Sequence, residues 1–230
     1  MVRLRSLVAN AVAASLYPAP RTYTDHYYKR FLQFMDEPAI GSKDIVMLGN
    51  SLRKTVVTGP PAWQQARTQP RHIGDEVMGV YDRLHQILPG QPAKLFLLIG
   101  VNDVSHDLTA DSIAGMIRMT VERIRKESPD TRLYLQSLLP INESFGRYKR
   151  LAGKTNLIPE INKQLEALAK EKGLTYINLF PLFTEKGSNV LRADLTTDGL
   201  HLKEEGYKIW AKAQEKDLEK THDTHINGKR

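Results

Sequence analysis

KLFLLIGVND, residues 94–103, contains a strong strand signal that is followed at once by a polar turn. The run LFLLI is apolar without a break, which is typical of a strand covered on both faces of a parallel sheet. Gly100, Asn102 and Asp103 then end the apolar run. In α/β sheets, ligands bind beyond the carboxyl ends of the strands, so this turn is a candidate functional position.

Similar apolar runs alternate with helical periods along the rest of the chain. Strands are predicted at Asp44–Leu48, Lys94–Ile99, Arg132–Ser137 and Thr175–Leu179, and helices from Asp75 to Leu88, over 109–127, Asn156–Lys172 and Lys203–Lys220. This order predicts an α/β fold with a mainly parallel, doubly wound sheet. Right-handed crossovers would place helices on both faces of that sheet.

Composition restricts the function classes. The 230 residues suffice for one domain, predicted over 21–220, and no apolar run is long enough to cross a membrane. The absence of cysteine excludes disulfides and thiol nucleophiles. Residues 1–20 are interpreted as a leader, either disordered or a secretory signal, and 221–230 as a polar tail. A functioning signal would make the protein periplasmic or secreted; otherwise a cytoplasmic location is expected.

The net charge of +7 raises the question of nucleic-acid binding. Nine Lys/Arg and four Asp/Glu lie within residues 1–70, so +5 of the charge is concentrated there, while later helices mix both signs. The chain also lacks the interleaved aromatic and basic residues typical of base stacking. No nucleic-acid partner is therefore predicted, and the sequence indicates no particular oligomeric state.

DGLH, residues 198–201, is a candidate for acid–base chemistry. Asp198 and His201 are three residues apart, so a turn can bring the carboxylate to one imidazole nitrogen while the other takes a proton from a hydroxyl. This arrangement would supply the base and its orienting acid in a serine hydrolase. By itself the spacing favours the other interpretation, a helix N-cap by Asp198 beside a surface histidine.

Two further positions could stabilise negative charge. The Asn102 amide can donate a hydrogen bond to an oxyanion, and Gly74 would let its backbone N–H approach a ligand closely. Each has a structural alternative, an Asx turn for Asn102 and a tight turn for Gly74. Ser51 follows the first predicted strand in a small polar turn, the place where a nucleophile would be presented.

Taken together, four blocks resemble the SGNH hydrolase superfamily, the GDSL-like lipases and esterases. They are GNSL at 49–52, IGD at 73–75, GVND at 100–103 and DGLH at 198–201, within a resemblance that spans about 44–215. It implies a flavodoxin-like three-layer α/β/α sandwich and ester hydrolysis through an acyl-serine, without metal or organic cofactor. The chain looks most like bacterial acetylhydrolases and acetylesterases, some of which remove O-acetyl groups from sugars.

The resemblance also implies residue roles. Ser51 corresponds to the nucleophile, His201 to its base and Asp198 to the residue that orients the base. The backbone N–H groups of Ser51 and Gly74, with the Asn102 side chain, would form the oxyanion hole. Asn50 stands where the family name has Asp, and its amide can supply the same hydrogen bonds. Asn50, Asp103 and Asn142 are predicted substrate-binding residues.

Residues 53–72 depart from the family pattern. Three prolines and no acidic residue predict neither the expected helix nor a good second strand. The codons ACG GAA AAC GGT GGT GAC TGG encode TENGGDW, a plausible family continuation, and without their first base they encode RKTVVTG, the sequence at 53–59. A local frameshift and ordinary divergence are both consistent with this segment, and either could impair catalysis.

Three functions therefore follow as alternatives. The first is an esterase acting on small acyl esters, acetylated sugars included. The second is a catalytically impaired member of the same fold, and the third is a lysophospholipase or thioesterase. The stretch 139–154, LPINESFGRYKRLAGK, is either a substrate loop or a plain connection.

Overall fold

The computed structural model describes residues 39–49, 67–68 and 76–219 of the chain. Their strands form one parallel sheet in the order β2-β1-β3-β4-β5. The strands are β1 Ile45–Gly49, β2 Arg67–Thr68, β3 Lys94–Leu98, β4 Arg132–Gln136 and β5 Thr175–Ile177. This strand order is that of flavodoxin-like sheets, which confirms the predicted fold class.

The helices of the described part are α1 Val77–Arg83, α2 Val101–Val104, α3 Ala110–Glu127, α4 Leu157–Lys172, α5 Phe180–Phe183 and α6 Glu204–Glu219. Short 3-10 turns occupy Leu84–Gln86, Leu88–Gly90, Glu143–Phe145, Lys149–Leu151 and Ala193–Leu195. Thr109 caps α3, because its side-chain oxygen accepts a hydrogen bond from the Ser112 N–H at 3.2 Å. None of the helices described is long and apolar enough to cross a membrane.

The centre of the sheet is buried from both sides. Every residue of β3 is buried, and Phe96 stacks on Tyr134 of β4 with 4.3 Å between ring centroids. On one face, Trp210 of α6 donates to Gln136 at 2.9 Å, and Lys94 donates to two carbonyls at the end of α6. The opposite face is covered by α3 and α4, so the fold has the predicted three layers.

Two of the predicted elements differ from the sequence prediction by more than one residue at an end. β5 ends at Ile177 rather than Leu179, because the Ser137 hydroxyl accepts the N–H groups of Leu179 and Phe180 and turns the chain into α5. The helix predicted from Asp75 continues as an α-helix only to Arg83, and two 3-10 turns complete it.

The second strand is as weak as the sequence predicted. β2 has two residues and pairs with Val46 and Met47 at the edge of the sheet. The predicted leader, the polar tail and most of residues 53–72 lie outside the described residues. The four remaining strands, β1, β3, β4 and β5, supply the buried core residues of the sheet.

The Asn162 side chain fixes the backbone at the point where the chain leaves β4. Asn162 of α4 is buried, accepts a hydrogen bond from the Leu138 N–H at 2.7 Å and donates to the Leu138 carbonyl at 3.0 Å. This side chain therefore continues the backbone pairing of β4 beyond its last residue. The connection that follows, residues 139–156, begins from a fixed position at the carboxyl edge of the sheet.

Candidate active site

The turn that precedes α6 is built around one buried hydroxyl. Thr196 Oγ1 accepts hydrogen bonds from the N–H groups of Asp198 and Gly199 and donates to the His201 carbonyl at 2.7 Å. The Gly199 carbonyl also accepts the Asn142 N–H at 2.8 Å. These bonds hold the turn, residues 196–202, against the connection that leaves β4.

Within this turn, Asp198 and His201 form the hydrogen-bonded pair that the sequence predicted. His201 Nδ1 lies 2.8 Å from Asp198 Oδ2, and the two side chains are 24% and 22% exposed. Asp198 Oδ1 accepts the backbone N–H of His201 at 2.7 Å and that of Leu200 at 3.0 Å. The helix-cap alternative does not describe this geometry, because α6 begins only at Glu204 and the carboxylate is also bonded to the imidazole.

The same contacts set the charge state of Asp198. Burial by itself would raise the pKa of this carboxyl, but the hydrogen bonds from the His201 backbone and ring, the Leu200 N–H and Tyr148 lower the pKa to about 2. Hydrogen bonds to an ionised carboxylate stabilise its charged form. Asp198 is therefore ionised throughout the neutral range and available to orient an imidazole.

This lowered pKa predicts a dependence of stability on pH. The ordinary pKa of an aspartate is 3.8 and that of Asp198 in the fold is about 2. The stabilisation is therefore complete above the ordinary value and is lost as the pH falls towards 2. The free energies of unfolding of wild type and Asp198→Asn, measured with urea at about pH 6, 4 and 3, should converge as the pH falls. A difference that stays constant would contradict the lowered pKa.

Asn102 lies in α2, directly beyond the carboxyl end of β3. The chain reaches this helix through Gly100, whose φ is +130° and where a Cβ would lie 3.2 Å from Ile113. The Asn102 carbonyl accepts hydrogen bonds from the Ser105 N–H at 3.0 Å and hydroxyl at 2.6 Å. The backbone of Asn102 is thus held by its own helix, at the edge of the sheet where the prediction placed the residue.

Asp103 and Asn142 use their side chains to join segments of the site. Asp103 is fully buried, and both of its carboxylate oxygens accept the N–H of Val77, at 3.3 and 3.1 Å. It thereby ties the start of α1, three residues after Gly74, to the helix of Asn102. Asn142 donates to the Leu191 carbonyl at 2.8 Å and accepts from Ser144. Substrate binding by these two residues stays a prediction.

The remaining predicted site residues, Asn50, Ser51 and Gly74, lie outside the described residues. Of the three predicted oxyanion-hole residues, the structure therefore describes only Asn102. Gly49 ends β1 just before them. In the described ranges, no group of three or more His, Asp or Glu side chains is arranged to hold a metal ion.

Tyr148 was not among the predicted site residues, although it contacts both members of the pair. Its hydroxyl lies 2.9 Å from Asp198 Oδ2 and 3.1 Å from His201 Nδ1. Tyr148 belongs to the stretch 139–154 that the sequence indicated as a substrate loop or a plain connection. The only sequence signal was an aromatic residue in that stretch, which does not reveal a contact made 50 residues further along the chain.

A family model matches residues 46–209, and its description is the GDSL-like lipase/acylhydrolase family. The chain belongs to this family. All four sequence blocks fall inside the matched range, so the resemblance drawn from them is confirmed. Membership places the chain among the ester-hydrolysing GDSL-like enzymes. No curated protein matches the sequence.

Solved structures share the fold at low sequence identity. A GDSL-like lipase from Bacteroides thetaiotaomicron has a TM-score of 0.71 and 21% identity, over 84% of this chain and 97% of that one. An acetyl xylan esterase has a TM-score of 0.61 and 19% identity, over 76% and 98% of the two chains. For a mutant of an acetyl-xylooligosaccharide esterase from Geobacillus, the TM-score is 0.59 and the identity 16%, over 80% and 98%. At such identities the likeness shows the fold alone.

Proposed function

We propose that the chain is a serine esterase that hydrolyses small acyl esters, acetyl esters of carbohydrates in particular, through an acyl-serine intermediate. The hydrogen-bonded pair of Asp198 and His201 at the carboxyl edge of the sheet carries this proposal. It supplies a base whose Nδ1 is bound to an ionised carboxylate, so that Nε2 is the nitrogen that exchanges protons with the reacting groups.

In the proposed reaction, Ser51 Oγ attacks the ester carbonyl while His201 Nε2 takes the serine proton. The N–H groups of Ser51 and Gly74 and the amide of Asn102 would stabilise the negative oxygen, each such donor lowering the barrier by about 3–4 kcal/mol. His201 then returns the proton to the departing alcohol. Water, activated by the same imidazole, attacks the acyl-serine and releases the acid.

Among the described residues, a cleft opens beside Asp198, and its lining includes Ile141, Tyr148 and Leu151. A substrate bound in this cleft would lie next to the proposed base. Two of the fold neighbours are esterases of acetylated xylan or xylooligosaccharides, which supports the choice of an acetylated sugar as substrate.

The proposal predicts that purified protein hydrolyses p-nitrophenyl acetate, and that Ser51→Ala abolishes this turnover because it removes the nucleophile. Activity should fall along a series of longer p-nitrophenyl esters, since an acetyl ester is the proposed substrate. Ser188→Ala, a change at an exposed serine in a turn after α5, is the matched control and should retain full activity. Release of acetate from acetylated xylooligosaccharides then tests the carbohydrate acceptor.

The departure at residues 53–72 favours the impaired enzyme as the second candidate. Labelling of Ser51 by a fluorophosphonate distinguishes the two, because this reagent reacts with an activated serine and not with an unactivated one. Folded protein that is neither labelled nor more active than Ser51→Ala would contradict the proposed esterase. A preference for the longest acyl chains would instead support the lysophospholipase or thioesterase alternative.

A further inference from the structure

Tyr148 occupies a position that no predicted role explains. It lies in the connection between β4 and α4, just before the 3-10 turn Lys149–Leu151, and its ring is half-buried. Its hydroxyl reaches the Asp198 carboxylate and the His201 ring at once, at 2.9 and 3.1 Å. The phenol ring centroid lies 6.0 Å from the imidazole centroid, with the two planes tilted by 56°.

The hydrogen-bond pattern makes Tyr148 a donor to Asp198. Burial and the neighbouring carboxylate both raise the pKa of the Tyr148 hydroxyl, so it keeps its proton in the neutral range. An ionised carboxylate only accepts hydrogen bonds, so the phenol donates to Oδ2 and shares that oxygen with His201 Nδ1. With two backbone N–H groups on Oδ1, the carboxylate is held from four directions.

The backbone of the connection keeps the phenol in place. The Tyr148 carbonyl accepts the Leu151 N–H at 2.9 Å, which closes the 3-10 turn that follows it. Further on, Lys154 donates to the Val104 carbonyl at 2.8 Å and pairs with Asp107 at 2.6 Å. The connection is therefore joined at one end to the helix of Asn102 and, through Tyr148, to the Asp198–His201 pair.

We propose that Tyr148 is a positioning residue for the esterase reaction: its hydroxyl fixes the Asp198 carboxylate and thereby the orientation and tautomer of the His201 ring. This inference deepens the proposed function and rests on it, since the pair is the base of that reaction. Because Tyr148 acts through Asp198 and His201, its loss should affect the catalytic step more than the binding of a small ester.

The test compares Tyr148→Phe with Tyr176→Phe in the full-length protein. Both changes remove one hydroxyl, but the Tyr176 hydroxyl donates to the Asn162 carbonyl, which belongs to α4 and not to the pair. With p-nitrophenyl acetate, Tyr148→Phe should lower kcat by about 10-fold with KM unchanged, the effect of one lost hydrogen bond to a charged group. Tyr176→Phe should leave both constants unchanged.

A second readout does not depend on turnover. Two-bond ¹H–¹⁵N spectra report the tautomer of each histidine ring, and the His201 signals are assigned by their loss in His201→Gln. Tyr148→Phe should shift the His201 Nδ1 and Nε2 signals, whereas Tyr176→Phe should not. If wild type lacks Ser51-dependent activity, the proposed function fails, and these spectra still decide the role of Tyr148.

Three results would overturn the inference. The first is a His201 spectrum in Tyr148→Phe that is identical to that of wild type. The second is an equal shift in Tyr176→Phe, which would indicate a general structural effect. The third is a rise in KM with kcat unchanged, which would make Tyr148 a substrate contact rather than a positioning residue.

Discussion

Asp198→Asn is expected to lower kcat for p-nitrophenyl acetate by about 10³- to 10⁴-fold while leaving the fold intact. Oδ1 accepts two backbone N–H groups, so the oxygen of the new amide will face them and its NH₂ group will face His201. An amide NH₂ donates hydrogen bonds, and His201 Nδ1 would then have to accept one. The ring proton moves to Nε2, which can no longer take a proton from Ser51.

The comparison variant is Asp194→Asn, four residues upstream in the same connection. Asp194 pairs with Arg192 at the surface and its side chain is 62% exposed, so its amide should change kcat little. Circular dichroism and urea unfolding check that both variants are folded. If Asp198→Asn retained more than about a tenth of wild-type kcat, its role as the orienting acid of a serine esterase would be contradicted.

Gly199→Ala is expected to reduce the free energy of unfolding by about 2–4 kcal/mol and kcat by about 100-fold. Gly199 has a φ of +86°, where side chains are strained, and a Cβ there would lie 2.2 Å from the Asn142 carbonyl oxygen. The turn must move away from the connection, which breaks the hydrogen bond from the Asn142 N–H. A displacement of about 1 Å in the pair beside it accounts for the loss of rate.

Gly187→Ala separates strain from the clash. Gly187 also has a positive φ, +74°, but no heavy atom lies within 4 Å of its Cβ position. This variant should lose about 1–2 kcal/mol of stability from the backbone strain alone and keep the wild-type kcat. Both kcat values are measured on folded protein, below its unfolding transition. Equal effects of the two substitutions on kcat would show that the contact between the turn 196–202 and the connection 139–156 is not needed for catalysis.

The parallel sheet could be predicted from the sequence because its strands are short apolar runs that local chemistry identifies. β3 is buried at every residue, as the run LFLLI indicated, and the stripe Ile113, Ile117, Val121 and Ile124 forms the buried side of α3. Strand ends were less predictable. β5 stops early because the hydroxyl of Ser137, 40 residues before Ile177, captures the N–H groups that would extend it.

In the candidate site, too, local contacts could be predicted from the sequence and long-range contacts could not. Asp198 and His201 lie three residues apart, so their hydrogen bond forms within one turn, and the DGLH block was sufficient to predict it. Asp103, in the GVND block, stays a predicted substrate residue, and the structure adds that both of its carboxylate oxygens accept the Val77 N–H of α1. That contact spans 26 residues, and no local pattern encodes it.

The sequence by itself determined the strand and helix order, the family and the local pair that could act as base and orienting acid. Apolar periodicity and short-range turns encode these features, since they depend on residues only a few positions apart. Only the tertiary structure decided that Tyr148 reaches the pair and that Asn142 packs against Gly199. Both contacts join the connection 139–156 to the turn 196–202 at the carboxyl edge of the sheet. The relative position of these two loops is set by the packing of the helices and strands that carry them, and the residues adjacent to each loop in the chain do not encode it.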